Sequence, residues 1–229
     1  MTSVIKKASL SLKRVCFKRG TRTILDNVDF SVSQGALVLM TGQNGSGKST
    51  LLKITAGLLK PQQVQVSFVP HDGQQGSYPW PRLKKLLRRK VCYLHQHPYL
   101  FHGSVYDNVA YGLKRQKMSK QEIEQRVVQA LQEYSLESLI HRDCHELSGG
   151  EKQRVAIVRS WITRPEIILL DEPFSNMDKE SRKKSYALIK QMCQQNITIV
   201  LTSHDPLIGE LSFDQHIHLY QGKITHKSV

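Results

Sequence analysis

Gly42-Gln43-Asn44-Gly45-Ser46-Gly47-Lys48-Ser49-Thr50 follows the apolar run Leu37-Val38-Leu39-Met40 and Thr41. The spacing is G-x-x-x-x-G-K-[ST]. After a strand and at the opening of a helix, that spacing makes a phosphate-cradling loop. Gly42, Gly45 and Gly47 let the backbone curl so that successive N–H groups face one anion. A helix opening at Lys48 adds the positive end of its dipole. Lys48 places a point charge on terminal phosphates, and the Ser49 hydroxyl can ligate Mg²⁺. The expectation is an α/β fold whose parallel sheet carries the loop at a strand end.

Working outward, a second apolar run, Ile167-Ile168-Leu169-Leu170, ends in Asp171-Glu172. Neighbouring strand residues point to opposite faces, but a turn at the strand end lets both carboxylates approach one site. Asp171 can then hold the Mg²⁺ shell, leaving Glu172 to accept a proton from water. Between the two lies Leu147-Ser148-Gly149-Gly150-Glu151-Lys152-Gln153-Arg154. Ser148, Gly149 and Gly150 precede a helix with unpaired N–H groups, which makes a second anion site. One chain cannot easily wrap both anion sites around a single triphosphate.

The 229 residues suit one α/β domain with a small subdomain, and 39% apolar content supports a packed core. No apolar run reaches the roughly 20 residues that span a bilayer, so a membrane role is expected to come through partners. Cys16, Cys92, Cys144 and Cys193 show no C-x-x-C spacing and are expected as reduced thiols. Cys144 lies between His141 and His145 but fits no standard zinc spacing. The net charge of +14 favours anionic partners. Its densest stretch, 82–90, puts Leu83, Leu86 and Leu87 on one helical face and cations on the rest. A solvated surface helix is expected there, or contact with anionic headgroups; nucleic-acid contact is the remaining reading, which no aromatic interleaving supports.

Strands are expected near 9–17, 28–32, 36–40, 91–94, 167–170, 197–201 and 216–220. Helices are expected near 48–57, 104–113, 120–134, 149–159 and 179–194. Ser119 with Glu122 reads as a capping box. Residues from about 107 to 147 read as helical throughout, and 61–81 as a loop.

The LSGGEKQR string, placed shortly before an apolar-Asp-Glu-Pro strand, resembles the signature of ATP-binding cassette (ABC) ATPases, and the resemblance covers essentially the whole chain. It implies an ABC-type P-loop NTPase: a parallel core sheet, an N-terminal antiparallel β layer and a helical insert. Residues 1–229 would form one domain. Residues 1–96 and 160–229 would make the RecA-like core with its β layer, and about 97–159 the helical subdomain. Gln96, after Val91-Cys92-Tyr93-Leu94, resembles the family's glutamine loop. Ser175-Asn176-Met177-Asp178 resembles its D-loop, and Thr202-Ser203-His204-Asp205 its switch-histidine loop.

The resemblance implies that Gly42 through Thr50 bind the phosphates of ATP, and that Ser49, Gln96 and Asp171 arrange Mg²⁺ and water. It makes Glu172 the base, has His204 touch the γ-phosphate, and has Asp178 communicate across a dimer. The adenine-stacking position falls on Arg19, with Phe17 two residues earlier; a guanidinium can also stack on a base. Ser148, Gly149 and Gly150 would face the nucleotide of a second copy, in a head-to-tail homodimer with two ATP molecules. The stretch 97–113 is similar to bacterial importer cassettes, most of all those serving oxyanions such as tungstate or molybdate. Tyr99, Leu100 and Phe101 would then dock a membrane subunit. The implied partners are separate transmembrane permease subunits and an external solute-binding protein, with no nucleic acid. The implied place is the cytoplasmic face of the membrane. A soluble ABC ATPase acting on nucleic acid or translation is the alternative that the charge suggests; a nucleotide-gated scaffold without turnover is a third reading.

Overall fold

The computed structural model describes residues 8–68, 76–77, 79–175, 177–204 and 211–228. The expected positions Asn176 and Asp205 lie outside the described residues.

The main sheet is built around β3 (Leu37–Thr41), all five residues of which are buried. On one side β3 pairs in parallel with β8 (Thr198–Ser203), which pairs with β7 (Ile167–Leu170), which pairs with β6 (Val91–Leu94). On the other side lie β9 (Gln215–Tyr220), parallel to β3, and β10 (Lys223–Ser228), antiparallel to β9. Parallel strands covered on both faces read as continuous apolar runs, which is why LVLM and IILL form the centre.

The alternation of side chains divides the core in two. Val38, Met40, Ile167, Leu169 and Val200 point to one face, where they join Leu10, Phe30, Leu52 and Phe68. Leu37, Leu39, Ile168, Leu170, Ile199 and Leu201 point to the other, against Val109, Val127, Val155 and Ile189 of the helices. The first face is roofed by a second sheet. It contains β1 (Ala8–Arg19) and β2 (Arg22–Ser33), a hairpin turning at Gly20 and Thr21, with β4 (Gln63–Phe68) antiparallel to β1 and β5 (Gly76–Ser77) at its edge. The expected antiparallel N-terminal layer is therefore present. Helix α1 (Lys48–Thr55) and the basic α2 (Trp80–Lys90) lie with this layer. In α2, Leu83 and Leu87 are buried and Leu86 partly so.

The second face carries α3 (Val105–Lys114), α4 (Lys120–Glu133), α5 (Gly149–Trp161) and α6 (Lys179–Cys193). Ser119 and Glu122 form the expected reciprocal cap on α4: the Glu122 N–H donates to Ser119 Oγ at 3.2 Å, and the Ser119 N–H to Glu122 Oε2 at 3.0 Å.

Two expectations fail. Residues 63–68 are a strand rather than loop, because Val64, Val66 and Phe68 alternate with Gln63, Gln65 and Ser67, and this period of two turns one apolar face to the core while the backbone pairs with β1. The helical run does not continue to Leu147. After a 3₁₀ turn at Glu137–Leu139 the chain runs irregularly, bridging Asp143 to Ser104.

Candidate functional site

Every parallel strand ends on the same edge of the main sheet. The loop 42–47 follows β3, Gln96 follows β6, Asp171 and Glu172 follow β7, and His204 follows β8. In open α/β sheets this carboxyl edge is where ligands bind.

The loop is held by close approach. Gly42 has φ 147° and Gly47 φ 110°, conformations that glycine tolerates. A Cβ at Gly42 would run into the Leu219 carbonyl oxygen and lie 2.8 Å from Ser46 Oγ; one at Gly47 would lie 2.8 Å from Leu25 Cδ2. The loop's far side is pinned by the Gly222 N–H, which donates to the Ser46 carbonyl at 3.0 Å. Lys48, only 5% exposed, folds over the loop and donates to the carbonyls of Gly42 (2.7 Å) and Gln43 (3.2 Å). Ser46 Oγ is buried and finds no partner among the described residues. A buried hydroxyl without a partner is costly.

Glu172 is the meeting point of the site. The chain leaves β7 with Glu172 at φ 46°, a strained turn for a non-glycine residue. Its N–H donates to Thr202 Oγ1 at 2.8 Å, and that hydroxyl donates to Asp171 Oδ1 at 2.9 Å. One buried threonine thus fixes both carboxylate residues. Glu172 Oε2 accepts from Gln96 Nε2 at 3.3 Å and lies 3.4 Å from His204 Nδ1; Oε1 is 3.8 Å from Lys48 Nζ. The Glu172 side chain keeps 14% exposure, against 63% for His204. Asp171 sits deeper, with Oδ2 accepting from the Tyr93 hydroxyl at 2.8 Å. Burial, and then the Asp171 charge, push the Tyr93 phenol far above its ordinary range, so it remains a donor.

A cleft of about 390 Å³ opens in front of the loop, lined among others by Arg19, Arg22, Lys48, Ser49, Gln96 and Glu172. A second, of about 320 Å³, adjoins it across Glu172, Gln96 and Asn44 and reaches His204 and Arg182. The structure therefore brings together Asn44, Gly45, Gly47, Lys48, Ser49, Thr50, Gln96, Glu172 and Arg19, with His204 next to them. Gln43 and Ser46 line the loop's outer flank. Asp171 is linked to the cleft through Thr202 rather than lining it. Phe17 does not line it either: it is partly buried against the core between the sheets, so of the two adenine candidates only Arg19 faces the cleft. For Mg²⁺, the Ser49 hydroxyl and the Gln96 amide oxygen offer hard oxygen ligands beside the loop, with Asp171 behind them. That donor set suits an ion that keeps several waters and shares phosphate oxygens.

The signature stands apart. Ser148 caps α5: its Oγ accepts from the Glu151 N–H at 3.3 Å, and its own N–H donates to Glu151 Oε2 at 2.8 Å. The Ser148 N–H on the carboxylate, helped by the Ser148 hydroxyl, holds the Glu151 carboxyl below the usual range. Ser148 and Gly149 are exposed, and a Cβ on Gly149 would meet nothing within 4 Å. Gly150 is buried, and a Cβ there would lie 2.5 Å from Ser181 Oγ. Asp178 caps α6, accepting from the N–H and hydroxyl of Ser181, which lowers its carboxyl pKa. None of Ser148, Gly149, Gly150 or Asp178 lines the cleft around Lys48.

Sequence reasoning missed Thr202, Tyr93 and Arg22. Thr202 stands in the quoted Thr202-Ser203-His204 run, where a buried hydroxyl at a strand end was the available signal. Arg22 pairs with Arg19 across the hairpin turn, a register that two flanking arginines could have suggested.

Residues 25–175, from β2 through the loop, the signature and Glu172, match the family model described as ABC transporter. The chain belongs to the ABC transporter family. It is 35% identical over 221 residues to the Fe(3+) ions import ATP-binding protein FbpC of Vibrio cholerae, covering 96% of this chain and 61% of that protein. The corresponding protein of Photobacterium profundum is 36% identical over 215 residues, covering 93% and 59%. The cassette thus spans about three fifths of the curated relatives it matches. Among solved structures, cbiO1 from Clostridium perfringens, part of the ABC transporter complex cbiONQ, superposes with TM-score 0.86 at 28% identity, covering 97% of this chain and 89% of that one. The ATP-binding cassette MJ0796, a dimeric post-hydrolysis state bound to ADP and Pi, superposes with TM-score 0.81 at 28% identity, covering 96% and 97%. These likenesses establish the ABC P-loop NTPase fold. The oxyanion resemblance finds no support in them.

Proposed function

We propose that this cassette binds ATP with Mg²⁺ and hydrolyses it as a head-to-tail homodimer, driving import through separate membrane subunits. The observation that carries the reading is Glu172, held at the cleft mouth among Lys48, Gln96 and His204.

Lys48 would leave the Gly42 and Gln43 carbonyls for the β- and γ-phosphates. Mg²⁺, when bound, neutralises developing phosphate charge; Ser49 and Gln96 would hold it, with Asp171 behind. Glu172, freed from Lys48, accepts the proton of the attacking water, and His204 Nδ1 or Nε2 faces the γ-phosphate. Arg19 and Arg22 offer guanidinium planes to the adenine. The exposed Ser148 and Gly149 are placed to complete a second copy's site, as the dimeric MJ0796 cassette makes reasonable.

No helix among the described residues is long and apolar enough to cross a membrane. Tyr99 (66% exposed), Phe101 and Tyr111 form an outward aromatic cluster, with Phe101 and Tyr111 centroids 4.6 Å apart. That cluster suits docking on a permease at the cytoplasmic face, with a solute-binding protein outside. Names of the relatives point to Fe³⁺ as cargo rather than an oxyanion, and the cargo itself would contact the permease and binding protein. Lys48→Ala should abolish nucleotide titration and turnover together. Unchanged ATP affinity in that variant would place the nucleotide elsewhere.

A further inference from the structure

His102 and His145 lie 43 residues apart in sequence, yet His145 Nε2 and His102 Nδ1 are 2.8 Å apart, in a ring–ring hydrogen bond with centroids 4.6 Å apart. Both rings are exposed. Their backbones are fixed. The Cys144 N–H donates to the Gly103 carbonyl, and the Val105 N–H to the Arg142 carbonyl, each at 3.0 Å. Ser104 bridges to Asp143, and the His145 N–H donates to Asp143 Oδ1 at 2.8 Å. The two imidazoles therefore face one point before any ligand arrives.

We propose that His102 and His145 form a binding site for a late first-row divalent ion such as Zn²⁺, which staples the stretch after the Tyr99–Phe101 aromatics to the stretch that leads into Ser148. Imidazole suits Zn²⁺, Cu²⁺ and Ni²⁺. A hydrogen-bonded pair already aims one lone pair and one N–H at each other; the ring that carries this N–H takes its other tautomer by exchange with water, moving the proton to its far nitrogen, so that both facing lone pairs bind the metal. Zn–N bonds of about 2.0–2.1 Å in tetrahedral geometry put the two nitrogens roughly 3.3 Å apart. Exposed rings need to part by only about half an ångström to reach that spacing. Among the described residues no group of three or more His, Cys, Asp or Glu side chains converges as a metal site. The ion would thus keep water in its remaining positions. Cys144 takes no part, since it is buried, its Sγ accepts from Asn108 Nδ2 at 3.1 Å, and burial raises its thiol pKa.

The test is a Zn²⁺ titration of the full chain without nucleotide or Mg²⁺, read by histidine-ring NMR and by competition with a colorimetric zinc chelator. The His102 and His145 resonances should shift first. His102→Ala and His145→Ala should each weaken binding at least about tenfold, and His102→Gln, which preserves a hydrogen bond to His145, should weaken it equally. First uptake at other histidines or at thiols, or unchanged affinity in either alanine variant, overturns the site. The stapling rests on the proposed ATPase reading and has its own arm. Zn²⁺ should slow ATP turnover of the native chain and leave that of His145→Ala unaffected; equal sensitivity of the two overturns the staple. Because the binding arm uses no nucleotide, a chain without ATPase activity would still answer it.

Discussion

Glu172 owes its position to Thr202, itself at 0% exposure, which gives its hydroxyl proton to Asp171 and accepts the Glu172 N–H. Thr202→Val keeps the shape and removes both bonds, leaving a buried carboxylate oxygen and a strained N–H unpaired. The expected loss is about 1–3 kcal/mol of stability in urea unfolding, together with reduced turnover and retained ATP binding. Glu172→Gln preserves size and removes only the basic oxygen. It should bind ATP as the native chain does while turnover falls by about 10²–10⁴-fold; near-native turnover would assign the proton to another group.

At the scale of elements, caps and close helix ends decide. Ser119→Ala removes the α4 cap and should cost about 1 kcal/mol, measured by thermal unfolding, with ATP affinity unchanged. At the signature, Gly150→Ala forces a Cβ against Ser181 and should push α5 away from α6, lowering the melting temperature. Gly149→Ala meets open space and should leave folding intact. Equal melting temperatures for the two glycine variants would contradict the packing described for these helix starts.

The same elements show what could be read in advance. β3, β7 and β8 were legible because strands buried on both faces leave unbroken apolar runs, and α4 because its capping box is local chemistry. Strand β4 carried a readable alternation hidden among glutamines, and β10 draws its strand character from pairing with β9 rather than from its own residues. The loop was legible through its spacing and Glu172 through its place at the end of an apolar strand, whereas Gln96 and His204 were read only through the resemblance to ABC ATPases. Thr202, the retreat of Phe17 into the core and the His102–His145 contact were not legible, because each depends on strands or segments distant in sequence being set side by side.

For the whole molecule, the cleft before Lys48 has walls from the loop, the β1–β2 turn, Gln96 and Glu172, while the signature helix start looks outward elsewhere. A triphosphate bound there would be open to solvent on one side, and a second copy presenting Ser148 and Gly149 would close it. The direct measurement is the mass of the Glu172→Gln chain by light scattering, with and without saturating ATP and Mg²⁺, beside the Glu172→Gln/Ser148→Arg double variant. The account predicts that ATP doubles the mass of the first, while the second binds ATP and stays monomeric. A monomer in both cases, or ATP-driven dimerisation undiminished by Ser148→Arg, would contradict it.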